Sequence, residues 1–390
     1  MGSGRPGGGC VRVQMIRVLH VIESLGLGGA ERRLFNDVSR LNHDFSHTVV
    51  HLFADNALAD QFHRRQIQTI GLGLKRMADP KAVPALWRAV KQNRPNLIHT
   101  QLFAADCYGR LVGRMLGIPV VSTVQSSVYE SPDPYLRSAK HEWADRWTAR
   151  TCVTRLVAVS EFVRESLKNR FHLDGSRIQV IPNGIDPVPF EKGRPDSARA
   201  LRHSLGISPD AKVLITVGKL NPPKGHRFVL EALESVRNRF PDLVWLIVGD
   251  GISRLELEQT ARKRGLTRNV RFLGVREDVP DLLALSDLFV FPSLSEGLPF
   301  VLLEAMAAGK PCIGFRIGPM PEVIEDRVTG LLSEPASSAG IAQAVISLLQ
   351  NPDPGRRMGE QGRERVRRLF HADRSARQLE NLYRSVGEQS

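Results

Sequence analysis

The sequence predicts an α/β protein built from two successive units, each with a parallel β-sheet covered by helices on both faces. Short, apolar, β-branched runs alternate with longer helix-like stretches, which is the pattern of parallel strands buried on both faces. The same alternation then restarts midway along the chain. The runs of the first series begin at Ile16, His47, Asn96, Pro119, Arg155 and Ile178, and those of the second at Lys212, Leu243, Asn269, Leu288 and Pro311.

The boundary between the two units is predicted in the segment PNGIDPVPFEKGRPD, which begins at Pro182. Proline and glycine are dense there and the hydrophobic periodicity disappears, as in a linker. A chain of 390 residues is also long enough for two domains. We therefore expect a flexible extension at 1–14, one domain at 15–185, a second at 186–370, and a C-terminal helix at 371–390 that packs back toward the first domain.

Composition excludes several classes of protein. No apolar run approaches the roughly 20 residues that span a bilayer, and no block near the start resembles a signal peptide. The four cysteines contain no CxxC pair, which argues against a disulfide framework and against a thiolate metal site. We therefore expect a cytoplasmic protein.

The charge is strongly basic, and most of the excess lies in the first half. The net charge is +13, and residues 1–186 hold 25 Lys and Arg against 16 Asp and Glu. Such an excess favours anionic partners, which are nucleotide phosphates, anionic lipid surfaces or nucleic acid. No nucleic-acid motif and no interleaving of aromatic and basic residues accompanies the charge. Nucleic acid is therefore not expected as a partner.

One helix-like stretch, YLRSAKHEWADRWTAR, has two alternative interpretations. Helical spacing gives it a face with apolar and basic members, which are Leu136, Ala139, Trp143 and Trp147 beside Arg137, Lys140, Arg146 and Arg150. Such a face is typical of a helix that lies on an anionic membrane, which would bring the protein to the inner face of the cell membrane. A helix that packs its tryptophans into the core is the commoner case, and it is the interpretation that we favour.

A glycine-rich turn follows the first predicted strand. The sequence ESLGLGGAE places Gly26, Gly28 and Gly29 between that strand and a helix. Glycines at such a turn let backbone N–H groups approach a phosphate at the helix N-terminus, although a tight turn alone also favours glycine. A dinucleotide fingerprint is not matched, because Glu31 stands at the third glycine position. This argues against a nicotinamide-dependent oxidoreductase.

Two lysines follow the first strand of the second series. Lys219 lies at the carboxyl end of KVLITVG, and Lys224 lies in NPPKG just before the next helix. Ligands of open α/β sheets bind at this edge of the strands, and a helix N-terminus adds partial positive charge. We therefore predict an anion site at these lysines, with solvated surface lysines as the alternative.

The stretch PSLSEGLPFVLLEAMAAGKP carries two carboxylates. Glu296 lies just after a strand, Pro299 suits the first turn of the following helix, and Glu304 lies within that helix. The neighbours of Glu304 are almost all apolar, so its carboxylate should not be buried without partners. A sugar diol offers two hydroxyl donors and would serve as that partner. Local backbone amides are the alternative.

These motifs resemble the retaining glycosyltransferases of family four, the glycosyl transferases group 1. That family has the GT-B fold, in which two Rossmann-like domains with parallel sheets face each other across a cleft. The likeness begins near Met15 and covers nearly the whole chain, through GLGGAE, IPNGID, VGKLNPPKGH, VGDG, FLG and PSLSEGLPFVLLEAMAAGKP in this order. The resemblance implies a first domain that binds a glycan, lipid-linked or small-molecule acceptor, and a second that binds a UDP- or GDP-linked sugar. It also implies transfer with retained anomeric configuration.

The resemblance further implies roles for individual residues. Lys219 and Lys224 would neutralise the donor diphosphate during catalysis, and Glu296 would contact the transferred sugar. Glu304 would hold the ribose hydroxyls. The other donor-binding positions that the resemblance implies are Gly28, Gly29, Gly218, Gly249, Arg276, Gly297, Leu298 and Pro299.

The region of the transferred sugar and acceptor departs from the family pattern. His99 and Gln125 are expected there, but Gln125 stands where many members carry His, and Gln101 stands where a second His is frequent. Lys219 replaces the usual Arg, which keeps the charge but loses a bidentate phosphate contact. The segment 318–322 replaces a double-glycine loop. These departures leave the identity of the transferred sugar open.

No cofactor and no metal ion are expected. Lysines and helix N-termini can stabilise a departing diphosphate where a metal would otherwise serve, and no His, Asp and Glu cluster has metal-ligand spacing. Three alternatives stay open. A sugar-nucleotide epimerase would turn over the donor without an acceptor, and a phosphorylase would need pyridoxal phosphate. A catalytically weak subunit would bind the nucleotide sugar without transferring it.

Overall fold

The computed structural model describes residues 15–126, 139–191 and 195–387. Within them, two parallel sheets follow one another along the chain. The seven-stranded first sheet contains β1 Ile16–Ile22, β2 Phe45–His51, β3 Gln68–Gly71, β4 Leu97–Gln101, β5 Val120–Val124, β6 Arg155–Ala158 and β7 Ile178–Val180. The six-stranded second sheet contains β8 Val213–Val217, β9 Val244–Val248, β10 Val270–Gly274, β11 Leu288–Phe291, β12 Cys312–Phe315 and β13 Gly330–Ser333. The predicted α/β class with two parallel sheets is confirmed.

Helices connect the strands of both sheets. Those of the first half are α1 Gly29–Val38, α2 Ala59–Arg64, α3 Ala82–Asn93, α4 Phe103–Leu116, α5 Ala139–Cys152 and α6 Glu161–Phe171. Those that follow are α7 Val188–Glu191, α8 Pro195–Ser204, α9 His226–Arg237, α10 Arg254–Lys263, α11 Val279–Leu285, α12 Phe300–Ala307, α13 Met320–Val323, α14 Ser338–Gln350, α15 Pro352–Leu369 and α16 Ala372–Gly387. Short 3-10 turns span Gly175–Arg177 and Pro222–Lys224.

Both sheets share one topology, which determines where a ligand can bind. The strand orders are β3-β2-β1-β4-β5-β6-β7 and β10-β9-β8-β11-β12-β13. In each sheet the chain starts near the middle, moves to one edge and then returns to the other side of its first strand. The point at which the strand order reverses direction, called the switch point, therefore lies between β1 and β4 in the first sheet and between β8 and β11 in the second. Open α/β sheets bind ligands at the carboxyl ends of the strands beside such a point.

Two edge strands, β3 and β13, are absent from the predicted series. Their sequences are QTIG and GLLS, and each lies at an edge of its sheet. An edge strand has a neighbour on one side only, so it can be short and need not be a continuous apolar run. The strands that were predicted include the long, buried central ones, such as β1 and β8.

The end of the chain packs against the first sheet. The apolar side chains Leu379, Leu382, Tyr383 and Val386 of α16 share a core with Val18 of β1 and with neighbouring strands. Beside this return, Ile185 of the segment between the sheets forms a parallel bridge with His371. The two connections between the halves therefore run side by side. The exact domain boundaries stay a prediction.

Helix α5 does not pack its tryptophans into the core, so the interpretation that we favoured is wrong. Trp143 is 61% exposed and Trp147 is 44% exposed. The face that α5 buries consists of small side chains, Thr148, Ala149 and Cys152, and it packs closely against α4. That close contact leaves the large indole rings on the outside. Leu136 and Arg137 of the predicted face lie outside the described residues.

Candidate active site

Glycines open the carboxyl edge of the second sheet. Gly218 follows β8 and Gly249 follows β9, and both have positive φ angles, +157° and +129°. A Cβ atom on Gly249 would lie 2.0 Å from the carbonyl oxygen of Gly218, so the two backbones can approach only without a side chain. Both predicted glycines therefore lie together at this edge. Lys219, next along the chain from Gly218, has an exposed side chain there.

Lys224 and Glu296 form an ion pair at the same edge. Lys224 ends the 3-10 turn before α9, and Glu296 lies in the loop after β11, so their strands are neighbours across the switch point. The Nζ atom of Lys224 lies 2.5 Å from Oε1 of Glu296 and 6.0 Å from the centre of the Phe291 ring. The two segments that carry Lys224 and Glu296 pack closely, because a Cβ on Gly225 would meet the Pro292 carbonyl oxygen at 2.0 Å. One predicted anion-binding group and one predicted sugar-binding group therefore meet.

Glu304 is buried within α12, and its partner comes from the other half of the chain. The residue is 7% exposed, and its Oε1 lies 3.4 Å from Nη1 of Arg32 on α1. Burial raises the pKa of Glu304, and the charge of Arg32 opposes that rise. Among the described residues, no backbone amide donates to this carboxylate. The carboxylate can therefore accept hydrogen bonds from hydroxyl groups of a ligand in the cleft.

Gly297 lets the second half contact the first. A Cβ on Gly297 would lie 1.8 Å from the carbonyl oxygen of Gln125, in the loop after β5. On the other side of the cleft, a Cβ on Gly29 would lie 3.6 Å from the ring of Phe300, the first residue of α12. Pro299 is the N-cap residue of α12, one position before the first helical turn that we predicted. The loop that carries Glu296 therefore lies between the halves.

A buried hydrogen-bond chain joins α1, the segment between the sheets and this loop. Arg33 Nη1 donates to Asn183 Oδ1 at 2.8 Å, and Asn183 Nδ2 donates to the carbonyl oxygen of Leu298 at 2.8 Å. Arg33 and Asn183 are almost fully buried. These two hydrogen bonds tie the loop at Leu298 to α1 of the first half.

The glycine-rich turn of the first half already holds a carboxylate. Glu31 lies in the first turn of α1, and a Cβ on Gly28 would meet its Oε2 at 2.3 Å. Ser24 Oγ donates to Oε1 of the same residue at 2.9 Å. A negative charge near a helix N-terminus is stabilised by the backbone amides, so Glu31 disfavours a phosphate at Gly28. Gly29 is exposed and faces Phe300 instead.

Two glutamine side chains lie at the carboxyl ends of β4 and β5. Gln125 Nε2 donates to Gln101 Oε1 at 3.0 Å. Gln101 is almost fully buried, and its Nε2 has no hydrogen-bond partner among the described residues. The backbone of Gln125 lies against Gly297, so Gln125 stands beside the Glu296 loop. These two amides lie together at the carboxyl edge of the first sheet.

His99 is not part of this site, which corrects the prediction. It lies in β4 and is almost fully buried, with Nε2 at 2.8 Å from Thr123 Oγ1 and Nδ1 at 2.5 Å from Tyr383 Oη of α16. Burial lowers the pKa of His99 to about 3, so its ring is neutral. Both ring nitrogens are engaged, and a sugar hydroxyl cannot reach them.

Arg276 lies at the same sheet edge, just after β10, but its guanidinium is already engaged. Nε and Nη2 contact the two carboxylate oxygens of Asp278 at 2.8 and 2.5 Å. The hydrogen bond raises the pKa of Arg276 and lowers that of Asp278. A donor would therefore meet an ion pair here, as it would at Lys224 and Glu296.

Three residues of the cleft were given no role by the sequence. Arg32 directly follows the GLGGAE motif, and Asn183 lies within the IPNGID motif. Their position in or beside these motifs was the one feature of the sequence that could have indicated a role in the cleft. Glu322 lies in the altered 318–322 segment. Its carboxylate accepts hydrogen bonds from the backbone N–H groups of Glu161 and Phe162 at 2.8 and 2.7 Å and so caps α6.

In the described part of the chain, no group of three or more His, Cys, Asp or Glu side chains is placed to hold a metal ion. Likewise, no helix of that part is both long enough and apolar enough to cross a bilayer.

Family models match both halves of the chain. The model described as "Glycosyltransferase Family 4" matches residues 27–188, and the one described as "Glycosyl transferases group 1" matches residues 197–365. The UDP-Gal:alpha-D-GlcNAc-diphosphoundecaprenol alpha-1,3-galactosyltransferase of Escherichia coli is 31% identical over 274 residues, which cover 69% of this chain and 70% of that protein. The N-acetyl-alpha-D-glucosaminyl L-malate synthase of Bacillus anthracis is 35% identical over 227 residues, 57% of this chain and 58% of that protein.

Solved structures share the fold at low sequence identity. HepE of Anabaena, in complex with UDP-glucose, superposes with a TM-score of 0.84 at 22% identity, over 95% of this chain and all of that one. Sucrose-phosphate synthase of Thermosynechococcus elongatus superposes with a TM-score of 0.81 at 22% identity, over 96% of this chain and 100% of that one. Fold, site and family models together define a glycosyltransferase of the GT-B fold that uses nucleotide-sugar donors. The chain belongs to glycosyltransferase family 4.

Proposed function

We propose that this protein transfers a sugar from a nucleoside diphosphate to an acceptor hydroxyl, with retention of the anomeric configuration and without a divalent metal ion. The observation that supports the proposal most is the convergence of Lys224, Glu296 and the buried Glu304 at one sheet edge, facing Gln125 and Arg32 of the other half. This arrangement offers cations for a diphosphate and separate carboxylates for two hydroxyl-bearing rings.

Each side chain has a distinct task in this proposal. Lys219 and Lys224 bind the diphosphate and stabilise the charge that builds on its oxygen as the bond to the sugar breaks. Glu304 accepts hydrogen bonds from the ribose hydroxyls, which supply the partners that its buried carboxylate needs. Glu296 accepts from hydroxyls of the transferred sugar. The neighbouring Lys224 holds its carboxylate in place.

Retention requires that the new bond form on the face from which the diphosphate leaves. The bond between the anomeric carbon and the phosphate oxygen breaks, and its electron pair goes to the diphosphate. The acceptor oxygen bonds to the same face of the anomeric carbon, and its proton passes to the departing phosphate oxygen. Because the positive charge of Lys224 favours departure, the step needs neither an enzyme nucleophile nor a metal ion.

The nucleotide is a uridine or guanosine diphosphate in this proposal, and the acceptor is a glycan, a lipid-linked sugar or a small molecule. The E. coli relative is named for UDP-Gal and for a diphosphoundecaprenol acceptor, which supports a uridine donor and a lipid-linked acceptor. The B. anthracis relative is named as an N-acetyl-alpha-D-glucosaminyl L-malate synthase, which supports a small acceptor. We also propose a cytoplasmic location, because Cys107, Cys152 and Cys312 are free thiols, as in reducing compartments.

A panel of UDP- and GDP-linked sugars tests the proposal directly. The matching donor should raise the melting temperature, because a ligand that binds only the folded state stabilises it. With the matching acceptor present, the product should carry the sugar and free nucleoside diphosphate should appear. Donor binding without transfer to any acceptor would instead favour the binding-subunit alternative. Interconversion of the donor without an acceptor would favour an epimerase, and a requirement for pyridoxal phosphate would favour a phosphorylase.

A further inference from the structure

Two exposed tryptophans of α5 form an apolar surface on the first half of the chain. The rings of Trp143 and Trp147 stack with their centres 6.3 Å apart and their planes 8° from parallel. Both are among the most exposed large apolar side chains of the first half. A contiguous exposed apolar patch marks a surface that contacts a protein partner, a ligand or a membrane. We call Trp143, Trp147 and the basic residues beside them the α5 surface.

The basic residues of the α5 surface share the face of the tryptophans. At 100° per residue, Lys140, Trp143, Arg146, Trp147 and Arg150 fall within about a third of the helix circumference. Lys140 and Arg150 are exposed, and Arg146 is partly exposed. In the described part of the chain, these three cations form no ion pair with an acidic side chain. Their charge is therefore available to an anionic partner.

The acidic residues of α5 point elsewhere and are neutralised. Glu142 accepts two hydrogen bonds from Arg170 of α6, at 2.6 and 3.0 Å. Asp145 pairs at 2.5 Å with Arg110 of α4, which is almost fully buried. These pairs remove negative charge from the helix and also hold it firmly against its neighbours. The α5 surface therefore lies on a rigid element and carries a net positive charge.

The C-terminal end of α4 also carries exposed basic and apolar side chains. Arg114 Nη1 donates to the carbonyl oxygen of Thr151 at 2.6 Å, so the C-terminal ends of α4 and α5 meet. Arg114 and its neighbour Met115 are both exposed. A further cation and a further apolar side chain thus lie at the end of α4 that contacts α5.

We propose that the α5 surface binds an anionic lipid bilayer, with Trp143 and Trp147 at the level of the headgroups and Lys140, Arg146 and Arg150 against lipid phosphates. Tryptophan has an apolar body and a polar N–H, a combination that favours the interface of a membrane. Each cation near an anionic surface adds to binding within a Debye length. This inference goes beyond the proposed function and does not depend on it, since vesicle binding needs no turnover.

Sedimentation with vesicles tests the α5 surface. The protein should pellet with phosphatidylglycerol-containing vesicles at low salt, pellet less at high salt, and stay in the supernatant with pure phosphatidylcholine. The double variant Trp143→Ser, Trp147→Ser should lower the partition coefficient about ten-fold or more, since two large apolar groups are lost. The triple variant Lys140→Gln, Arg146→Gln, Arg150→Gln should lower it roughly five-fold for each charge removed.

A matched control lies in the second half of the chain. Ile252 and Leu255 are more exposed than either tryptophan, so the double variant Ile252→Ser, Leu255→Ser removes comparable apolar surface away from α5. That control should bind vesicles as the unchanged protein does. Equal recovery in the supernatant with anionic and neutral vesicles would overturn the proposal, as would a control variant that lost binding as strongly as the tryptophan variant.

Tryptophan fluorescence gives a second, independent measurement. The chain has four tryptophans, of which Trp245 is fully buried. Anionic vesicles should shift the emission of the unchanged protein to shorter wavelength, because exposed indoles move into a less polar medium. The shift should be absent in the Trp143→Ser, Trp147→Ser variant. A shift of equal size in that variant would place the contact elsewhere and contradict the inference.

Discussion

Glu296 and Glu304 differ in their surroundings, and this difference separates their roles. Glu296 lies in a loop and pairs with a lysine of its own half, whereas Glu304 lies within a helix and faces an arginine of the other half. In the proposed function, the ribose on Glu304 is common to the donor and the free nucleotide. The sugar on Glu296 belongs to the donor alone and changes charge during the reaction.

Replacing each carboxylate by an amide should therefore produce different kinetic defects. Glu304→Gln should weaken the binding of donor and of nucleoside diphosphate alike, by about 10- to 150-fold, because hydrogen bonds to a charged group contribute about 1.5–3 kcal/mol. Glu296→Gln should leave nucleoside diphosphate affinity nearly unchanged and lower kcat roughly 100-fold. Calorimetric titration and steady-state kinetics measure the two effects, and each variant is the control for the other. The opposite pattern would show that the two roles are reversed.

The charge of Arg32 should set the pH at which Glu304 can bind a ribose. Burial raises the pKa of Glu304 and Arg32 lowers it, so Arg32→Ala should raise it further. A protonated carboxyl accepts fewer hydrogen bonds, and binding is lost as the pH falls through this pKa. The loss of nucleotide affinity on acidification should therefore begin at a higher pH in Arg32→Ala than in the unchanged protein.

Nucleoside diphosphate affinity measured across mildly acidic pH checks this expectation. Arg88→Ala is a suitable control, because Arg88 is exposed on α3 in the first half. Identical pH profiles for Arg32→Ala and for the unchanged protein would mean that the pair does not govern the ionisation of Glu304.

The sequence predicted site residues that directly follow a strand of the second sheet. It did not predict contacts between segments that are distant along the chain. Lys224 and Glu296 follow neighbouring strands of one sheet, so the local pattern was sufficient to bring them together. The contact of Arg32 with Glu304 joins residues 272 positions apart, and nothing local indicates it. His99 was misassigned because its burial depends on Tyr383 of the C-terminal helix.

At the scale of elements, α16 stabilises the first sheet through a buried polar contact. His99 is neutral, so Nδ1 can accept from Tyr383 while Nε2 donates to Thr123. Tyr383→Phe should leave Nδ1 of His99 without a partner and lower the free energy of unfolding by about 1–3 kcal/mol. Denaturant titration measures this change.

Tyr108→Phe is the matched control for that prediction. The Tyr108 hydroxyl donates to the carbonyl oxygen of Met77 in an exposed position, where water can replace the hydrogen bond. Its removal should change stability by less than about 0.5 kcal/mol. If both variants lost the same free energy of unfolding, the buried hydrogen bond between Tyr383 and His99 would contribute no more to stability than an exposed one.

Secondary structure was easiest to predict where an element is buried on both sides. A central strand such as β9 is a continuous apolar run, whereas β3 and β13 were missed because each has only four residues, and these form no continuous apolar run. Helix α5 was read incorrectly for a related reason. Its sequence has an apolar and basic face, but only the packing against α4 decides that this face points outward.

At the scale of the whole molecule, we propose that donor binding closes the cleft by a hinge near Pro182 to Asp186. An activated sugar must be kept from water during transfer, and the segment around Asn183 lies where the two connections between the halves run together. Small-angle scattering should therefore show a smaller radius of gyration with saturating donor and acceptor than without them. An unchanged radius would count against closure.

The anomeric configuration of the product tests the central claim most directly. With the matching donor and acceptor and an excess of chelator, proton NMR of the reaction mixture reports the configuration of the first-formed product and the dependence on metal together. We predict that the product keeps the anomeric configuration of the donor and that the chelator leaves the rate unchanged. An inverted product, or activity lost to the chelator and restored by a divalent ion, would contradict the proposed mechanism.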